Sequence, residues 1–225
     1  MKEQVVSENR PYDAVLDSAA GTAYITVFEK GIPCFSASAP MRGREAAKLP
    51  SWAESELARH GLALEDVGRW TVGAGPGSFT GLRLAAALVA GWCFGRKNAC
   101  RAVPGVFGMA RAAGIASGET LGCLYDGRNR EIICCRVACA GERLAMDAEP
   151  EILTADAMRK FAEAHPGMRF AAFAPELPAI LKLAPEPEVL PVNSPDLAAL
   201  EHDDSPFDDD VTRLVYIRPA VYAKG

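Results

Sequence analysis

Short apolar runs, divided by tight glycine-ended turns, fill the first third of the chain. Tyr12 to Asp17, Thr22 to Phe28 and Ile32 to Ser36 each read as a strand. Ala19-Ala20-Gly21 and Glu29-Lys30-Gly31 are links of the kind that join antiparallel neighbours. From about Arg44 to His60 the pattern becomes helical and ends at Gly61, the usual residue after a helix. Pro50 interrupts it, so either the helix kinks there or its main body begins near Leu49 with Pro50 in the first turn. A strand near Arg69 to Val72 leads through a glycine-rich turn into a nearly uncharged helix from Ser78 to about Gly95. Hairpin strands first and long crossovers afterwards predict an α/β fold with a mixed sheet flanked by helices.

The second half alternates similarly. Ala99 to Ala102 reads as a strand, and Val106 to Ala113 as a helix preceded by Pro104-Gly105. Leu121 to Tyr125 and Glu131 to Ala140 predict a hairpin around Asp126-Gly127, its second strand rich in cysteine and β-branched residues. A helix from Thr154 to Ala164, a strand from Arg169 to Phe173 and a short helix from Pro175 to Leu183 follow. Then come a proline-rich link, Pro185 to Pro191, a helix from Ser194, and an acidic stretch, Glu201 to Asp210, that reads as a solvated loop. It lacks the glycine that an EF-hand calcium loop needs.

The helix after the glycine turn has two apolar faces. Leu82, Ala85, Ala86, Val89 and Cys93 form one, while Ala87, Gly91 and Gly95 recur every four residues as a small-residue stripe. Two apolar faces need two neighbours. One is the chain's own sheet, and the other is either the Trp52 to Leu57 helix or a second subunit.

The turn itself, Gly73-Ala-Gly75-Pro76-Gly77-Ser78-Phe79-Thr80-Gly81-Leu-Arg83, carries four glycines in its first nine positions. Glycine permits positive φ and close backbone approach, and Ser78 is placed to cap the helix. One reading is pure packing. The other is a phosphate cradle, with free N–H groups at a helix N-terminus and the charge of Arg83 beside them. Neither the Walker pattern nor G-x-G-x-x-G is present, because no lysine stands near the turn and its glycines fall at 73, 75, 77 and 81.

Composition narrows the classes. With 225 residues, 49% of them hydrophobic, the chain can bury a real core. A net charge of -5 argues against a free-standing nucleic-acid binder, so a role near RNA would be indirect. Seven cysteines without C-x-x-C spacing read as reduced core thiols. The first residues lack the apolar segment of a secretory signal and the most apolar helix is too short to span a bilayer, so a cytoplasmic protein with no membrane contact is expected. His60, His165 and His202 have no neighbouring nucleophile, G-x-S-x-G is absent, and no metal constellation is visible. Asp17, at the end of the first strand, is the one candidate acid.

Gly75-Pro76-Gly77-Ser78-Phe79-Thr80-Gly81-Leu82-Arg83, followed by an alanine-rich helix, resembles the signature of the TsaB (YeaZ) family of bacterial tRNA-modification proteins. Asp17-Ser-Ala stands where that family has D-T-S-T. Asp126-Gly-Arg128-Asn-Arg-Glu131 resembles its D-A-R-x-x-E element, and Val215-Tyr216-Ile217-Arg218 its P-x-Y-L-R ending without the proline. Arg42, Leu49 and Pro50 fit its R-x-H-S-E-x-L-L-P pattern, although Arg44-Glu45-Ala46 replaces H-S-E.

The resemblance implies a ribonuclease H-like fold, that of actin, hexokinase and Hsp70, in two subdomains. The first would span residues 11–102 with part of the C-terminus and the second, degenerate, residues 103–214, after a flexible N-terminus of residues 1–10. It further implies a noncatalytic subunit, without cofactor, metal or catalytic residue. This subunit would support a TsaD-type partner which, helped by the ATPase TsaE, transfers threonylcarbamoyl from its adenylate to the adenosine beside the tRNA anticodon. In the family the helical layer meets TsaD and also supports homodimers, which assigns Trp52, Leu57, Ala87, Gly91 and Gly95 to an interface. The alternative is a small ATP-dependent kinase of the same superfamily, whose Asp17 would organise metal and phosphates. That reading meets an obstacle, because Asp17-Ser-Ala-Ala-Gly21 lacks the glycine such enzymes place two residues after the acid.

Overall fold

A computed structural model describes residues 10–96 and 98–215; the expected flexible N-terminus, residues 1–9 of it, and Tyr216-Ile217-Arg218 of the expected ending lie outside them. The chain divides into two compact units. The first runs to Gly105 and regains Leu200–Val215, and the second holds Val106–Ala199.

In the first unit, β1 (Tyr12–Asp17), β2 (Thr22–Glu29) and β3 (Ile32–Pro40) form an antiparallel meander. After α1 (Leu49–Arg59), β4 (Val67–Gly73) pairs parallel with β1. After α2 (Phe79–Cys93), β5 (Ala99–Val103) pairs parallel with β4, giving the order β3-β2-β1-β4-β5. Alternate strand residues (Ala14, Leu16, Ile25, Val27, Trp70 and Val72) join Leu49, Ala53 and Leu57 of α1 and Ala85, Ala86, Val89 and Cys93 of α2 in one core. Each large side chain buried there contributes about 1.5–3 kcal/mol.

Of the two readings left open at Pro50, the structure takes the second: α1 begins at Leu49 with Pro50 in its first turn, and residues Gly43–Lys48 before it form a 3-10 turn, because Pro50 has no N–H for an α ladder through that point. Two other expectations for this unit change. All seven cysteines are free, but Cys34 lies exposed on β3, an edge strand with alternating exposure. The acidic stretch is not simply solvated. Arg101 of β5, only 3% exposed, donates to the carbonyl oxygens of Leu200 (3.0 Å), Glu201, Asp203 (2.6 Å) and Ser205 (2.7 Å) and to Thr71 Oγ1 (3.0 Å). Phe207 stacks 4.2 Å from the same guanidinium, and Asp209 exchanges backbone and side-chain hydrogen bonds with Cys100.

The second unit contains α3 (Val106–Ala112), β6 (Thr120–Arg128), β7 (Glu131–Ala140), β8 (Arg143–Met146), β9 (Glu151–Thr154), α4 (Ala155–Ala164), β10 (Arg169–Phe173), α5 (Leu177–Leu183) and β11 (Val189–Val192). Its sheet runs β8-β7-β6-β10-β11, with β9 also paired to β7. With β9 set aside, the rank order of the strands is that of the first sheet: an antiparallel pair on one side, two parallel strands on the other. Thus both units have the mixed-sheet plan expected. Short α6 (Ala198–Glu201) replaces the expected helix from Ser194, and the proline-rich link runs into β11. The β6–β7 turn falls three residues late, because Gly127 is absorbed in a bulge and Asn129-Arg130 form the reversal. Arg128, Asn129 and Arg130 all have positive φ (58°, 49° and 62°), a conformation costing about 1–2 kcal/mol per non-glycine residue.

Candidate functional site

The glycine turn connects β4 to α2, and its glycines have two different uses. Only Gly75 among them takes positive φ, 94°. Gly77 and Gly81 have ordinary φ and are required by contact instead: a Cβ on Gly77 would come within 3.0 Å of Ala19 and one on Gly81 within 3.0 Å of the Ser18 carbonyl oxygen. The turn thus presses against the β1–β2 connection. Ser78 N–H donates to the Ala19 carbonyl oxygen at 2.6 Å, and Ser78 Oγ caps α2 by accepting from Gly81 N–H at 3.4 Å. Two of the amides expected for an anion are committed within the chain.

Beneath the turn sits Asp17, 6% exposed. Its Oδ1 accepts from Ala19 N–H at 2.7 Å. Its Oδ2 occupies the space that side chains would fill at Gly73 and Gly105, since a Cβ on either would lie under 3.0 Å from it. Burial pushes the Asp17 carboxyl above its ordinary value, and the Ala19 N–H opposes this only in part. A buried acid held by backbone alone keeps the β1–β2 turn closed and favours its own neutral form. Gly105, the second wall of this niche, escaped sequence reasoning because nothing local in Pro104-Gly105 pairs it with Asp17.

Ser78, Phe79 and Thr80 are exposed, Pro76 is buried, and the Arg83 guanidinium stacks 3.7 Å from the Phe79 ring. None of the histidines meets Asp17: His60 stacks on Phe35 and His165 on Phe161, while His202 reaches the Gly31 carbonyl oxygen. Among the described residues no group of three or more His, Cys, Asp or Glu is arranged to hold a metal, and no helix is long and apolar enough to cross a membrane.

The expected interface residues separate sharply. Leu57 is 1% exposed within the first unit's core, because its helical position turns it to the sheet, so it offers no surface; Trp52 is half-buried against the same core. Ala87, Gly91 and Gly95 are exposed, as are Ala90 and Phe94, the latter at 87%. A Cβ on Gly91 would meet nothing within 4 Å. Helical periodicity alone could have added Ala90 and Phe94 to this face.

A family model described as "TsaD: tRNA N6-adenosine threonylcarbamoyltransferase" matches residues 44–197. No curated protein matches the chain. Among solved structures, YeaZ from Pseudomonas aeruginosa is 20% identical with a TM-score of 0.67, and a crystal structure of a protein with similarity to peptidase YEAZ from the same organism is 19% identical with a TM-score of 0.65; each likeness covers 84% of this chain and 88% of that one. Ethanolamine utilization protein EutJ from Carboxydothermus hydrogenoformans, 12% identical over the same shares, gives 0.50. These likenesses establish the fold, which is the one the signature turn implied. The match over more than half the chain establishes the family: this protein belongs to the TsaD family of tRNA threonylcarbamoyladenosine modification and has the fold of YeaZ.

Proposed function

We propose that this chain is a noncatalytic subunit in the formation of threonylcarbamoyladenosine on tRNA, docking a TsaD-type partner through the outer face of α2. The observation that carries the reading is that face: Ala87, Ala90 and Gly91 lie exposed along one helix whose opposite side is engaged in the core, and exposed Phe94 ends it. Exposed apolar surface of this kind marks an interaction site, and small residues let a second helix approach closely. A second copy of the chain could use the same face as a homodimer, in competition with the partner. A TsaE-type ATPase would join the assembled complex, and tRNA would be held chiefly by the partner, in keeping with the net charge of -5.

The glycine turn supports the noncatalytic part of this reading. Gly77 and Gly81 are pressed on Ala19 and Ser18, Ser78 N–H is spent on Ala19, and Asp17 is enclosed between Gly73 and Gly105. A phosphate-binding kinase needs such groups free for its nucleotide. Calorimetric titration with Mg-ATP tests this. The expected result is no binding tighter than millimolar, above about -4 kcal/mol, and a stoichiometric micromolar heat, about -8 kcal/mol, would favour the kinase alternative.

A further inference from the structure

We infer that the tip of the β6–β7 hairpin, Arg128-Asn129-Arg130, is a contact for the phosphate backbone of RNA; this rests on the family's place in tRNA modification. The two-residue reversal at Asn129-Arg130 requires positive φ at both positions, where Asn-Gly is the favoured pair. Asn129 suits its place. Arg130 occupies the position that glycine would fill without strain, and Arg128, just before the reversal, is left-handed too. A local rule broken twice in three residues, both times by arginine, points to a use for the arginines themselves.

Their setting agrees. All three residues are exposed. Among the described residues no carboxylate lies within ion-pair distance of Arg128 or Arg130, which leaves both guanidiniums without a neutralising acid, while Arg59, Arg69, Arg96, Arg111, Arg136, Arg159, Arg169 and Arg213, half of the described arginines, are paired. The acidic groups at the base of the hairpin are engaged with backbone: Asp126 Oδ1 accepts from Arg128 N–H at 2.9 Å, and Glu176 Oε2 from Asp126 N–H at 3.0 Å. The reversal therefore presents two guanidiniums with an amide between them. Guanidinium geometry matches phosphate oxygens, and two such contacts suit a chain whose overall charge disfavours wider RNA binding.

The test is the salt dependence of unfractionated tRNA binding by the full chain alone, followed by fluorescence anisotropy from about 50 mM salt upward. The double variant Arg128→Ala/Arg130→Ala is expected to lose about tenfold in affinity at the lowest salt and to flatten the log–log salt slope by about 1.5, the share of two phosphates. Arg130→Gly is expected to melt higher than the parent yet bind tRNA less well, a pairing that a merely structural arginine would not show. The inference is overturned if the parent chain binds no tRNA at the lowest salt, if the double variant's curves superimpose on the parent's, or if Arg130→Gly keeps full affinity. Loss of a protein partner with unchanged tRNA curves would also overturn it, assigning the tip to protein recognition. Because the sample is the single chain, failure to assemble with a TsaD-type subunit would sink the proposed function and leave this result standing.

Discussion

Gly81 and Ser18 meet with no room for a methyl group: a Cβ at 81 would press into the Ser18 carbonyl oxygen. This contact, with that of Gly77 on Ala19, clamps the start of α2 to the β1–β2 turn. Gly81→Ala and Gly77→Ala are expected to destabilise by about 1–3 kcal/mol each through overpacking, although neither glycine has positive φ. Thermal melts check this, with about 2–4 °C expected for each kcal/mol in a chain of this size. Parent-like melts for both would remove the clamp.

Asp17 supplies a pH-dependent prediction. Its folded pKa is raised by burial, so its contribution is most favourable when the acid is protonated and declines as pH rises through the folded value. Asp17→Asn keeps an acceptor for Ala19 N–H and removes the charge. The variant is expected to melt above the parent at pH 7, with the gap closing as pH falls below the ordinary carboxylate range. A gap that stays constant with pH would mean that Asp17 is not the titrating group.

Arg101 is the anchor of the returning C-terminal segment. Arg101→Met would strip donors from four backbone carbonyls at once, and a buried unsatisfied acceptor costs about 1–3 kcal/mol each before relaxation. A loss of more than about 3 kcal/mol is expected, together with faster proteolysis within residues 200–215 than elsewhere. Denaturant melts and limited proteolysis measure both, and a variant as resistant as the parent would mean that other contacts hold the segment.

How far the fold could be read from the sequence depended on how local its causes were. Tyr12–Asp17 and Arg169–Phe173 appear with the expected bounds because each is a buried apolar run between turn residues. Ser78 and Thr154 cap the helices they precede, as their side chains allow. The strands Arg143–Met146 and Glu151–Thr154 passed unnoticed, since short edge strands with charged positions lack an apolar pattern and exist through pairing with β7. Val189–Val192 was hidden by Pro191, which an edge strand tolerates. In the site, the glycine turn is evident in the sequence together with both uses of glycine, positive φ and close approach, but which use holds at Gly77 and Gly81 is set by Ala19 and Ser18, about 60 positions away. Arg101 and Gly105 act through partners about 100 and 88 positions away, Leu200 to Ser205 and Asp17, which no spacing rule connects.

The most direct measurement of the central claim, a partner docked on the outer face of α2, is size-exclusion of Gly91→Leu mixed with a TsaD-type subunit. Nothing lies within 4 Å of the added Cβ, so the variant is expected to melt like the parent. The larger side chain would overpack a close helix contact by about 1–3 kcal/mol, lowering complex affinity roughly 5- to 150-fold, enough to separate the two proteins on the column. Parent chain that co-elutes with the partner while the folded variant does not is the predicted result. A folded variant that co-elutes as well as the parent would contradict the claim and move the interface off this face.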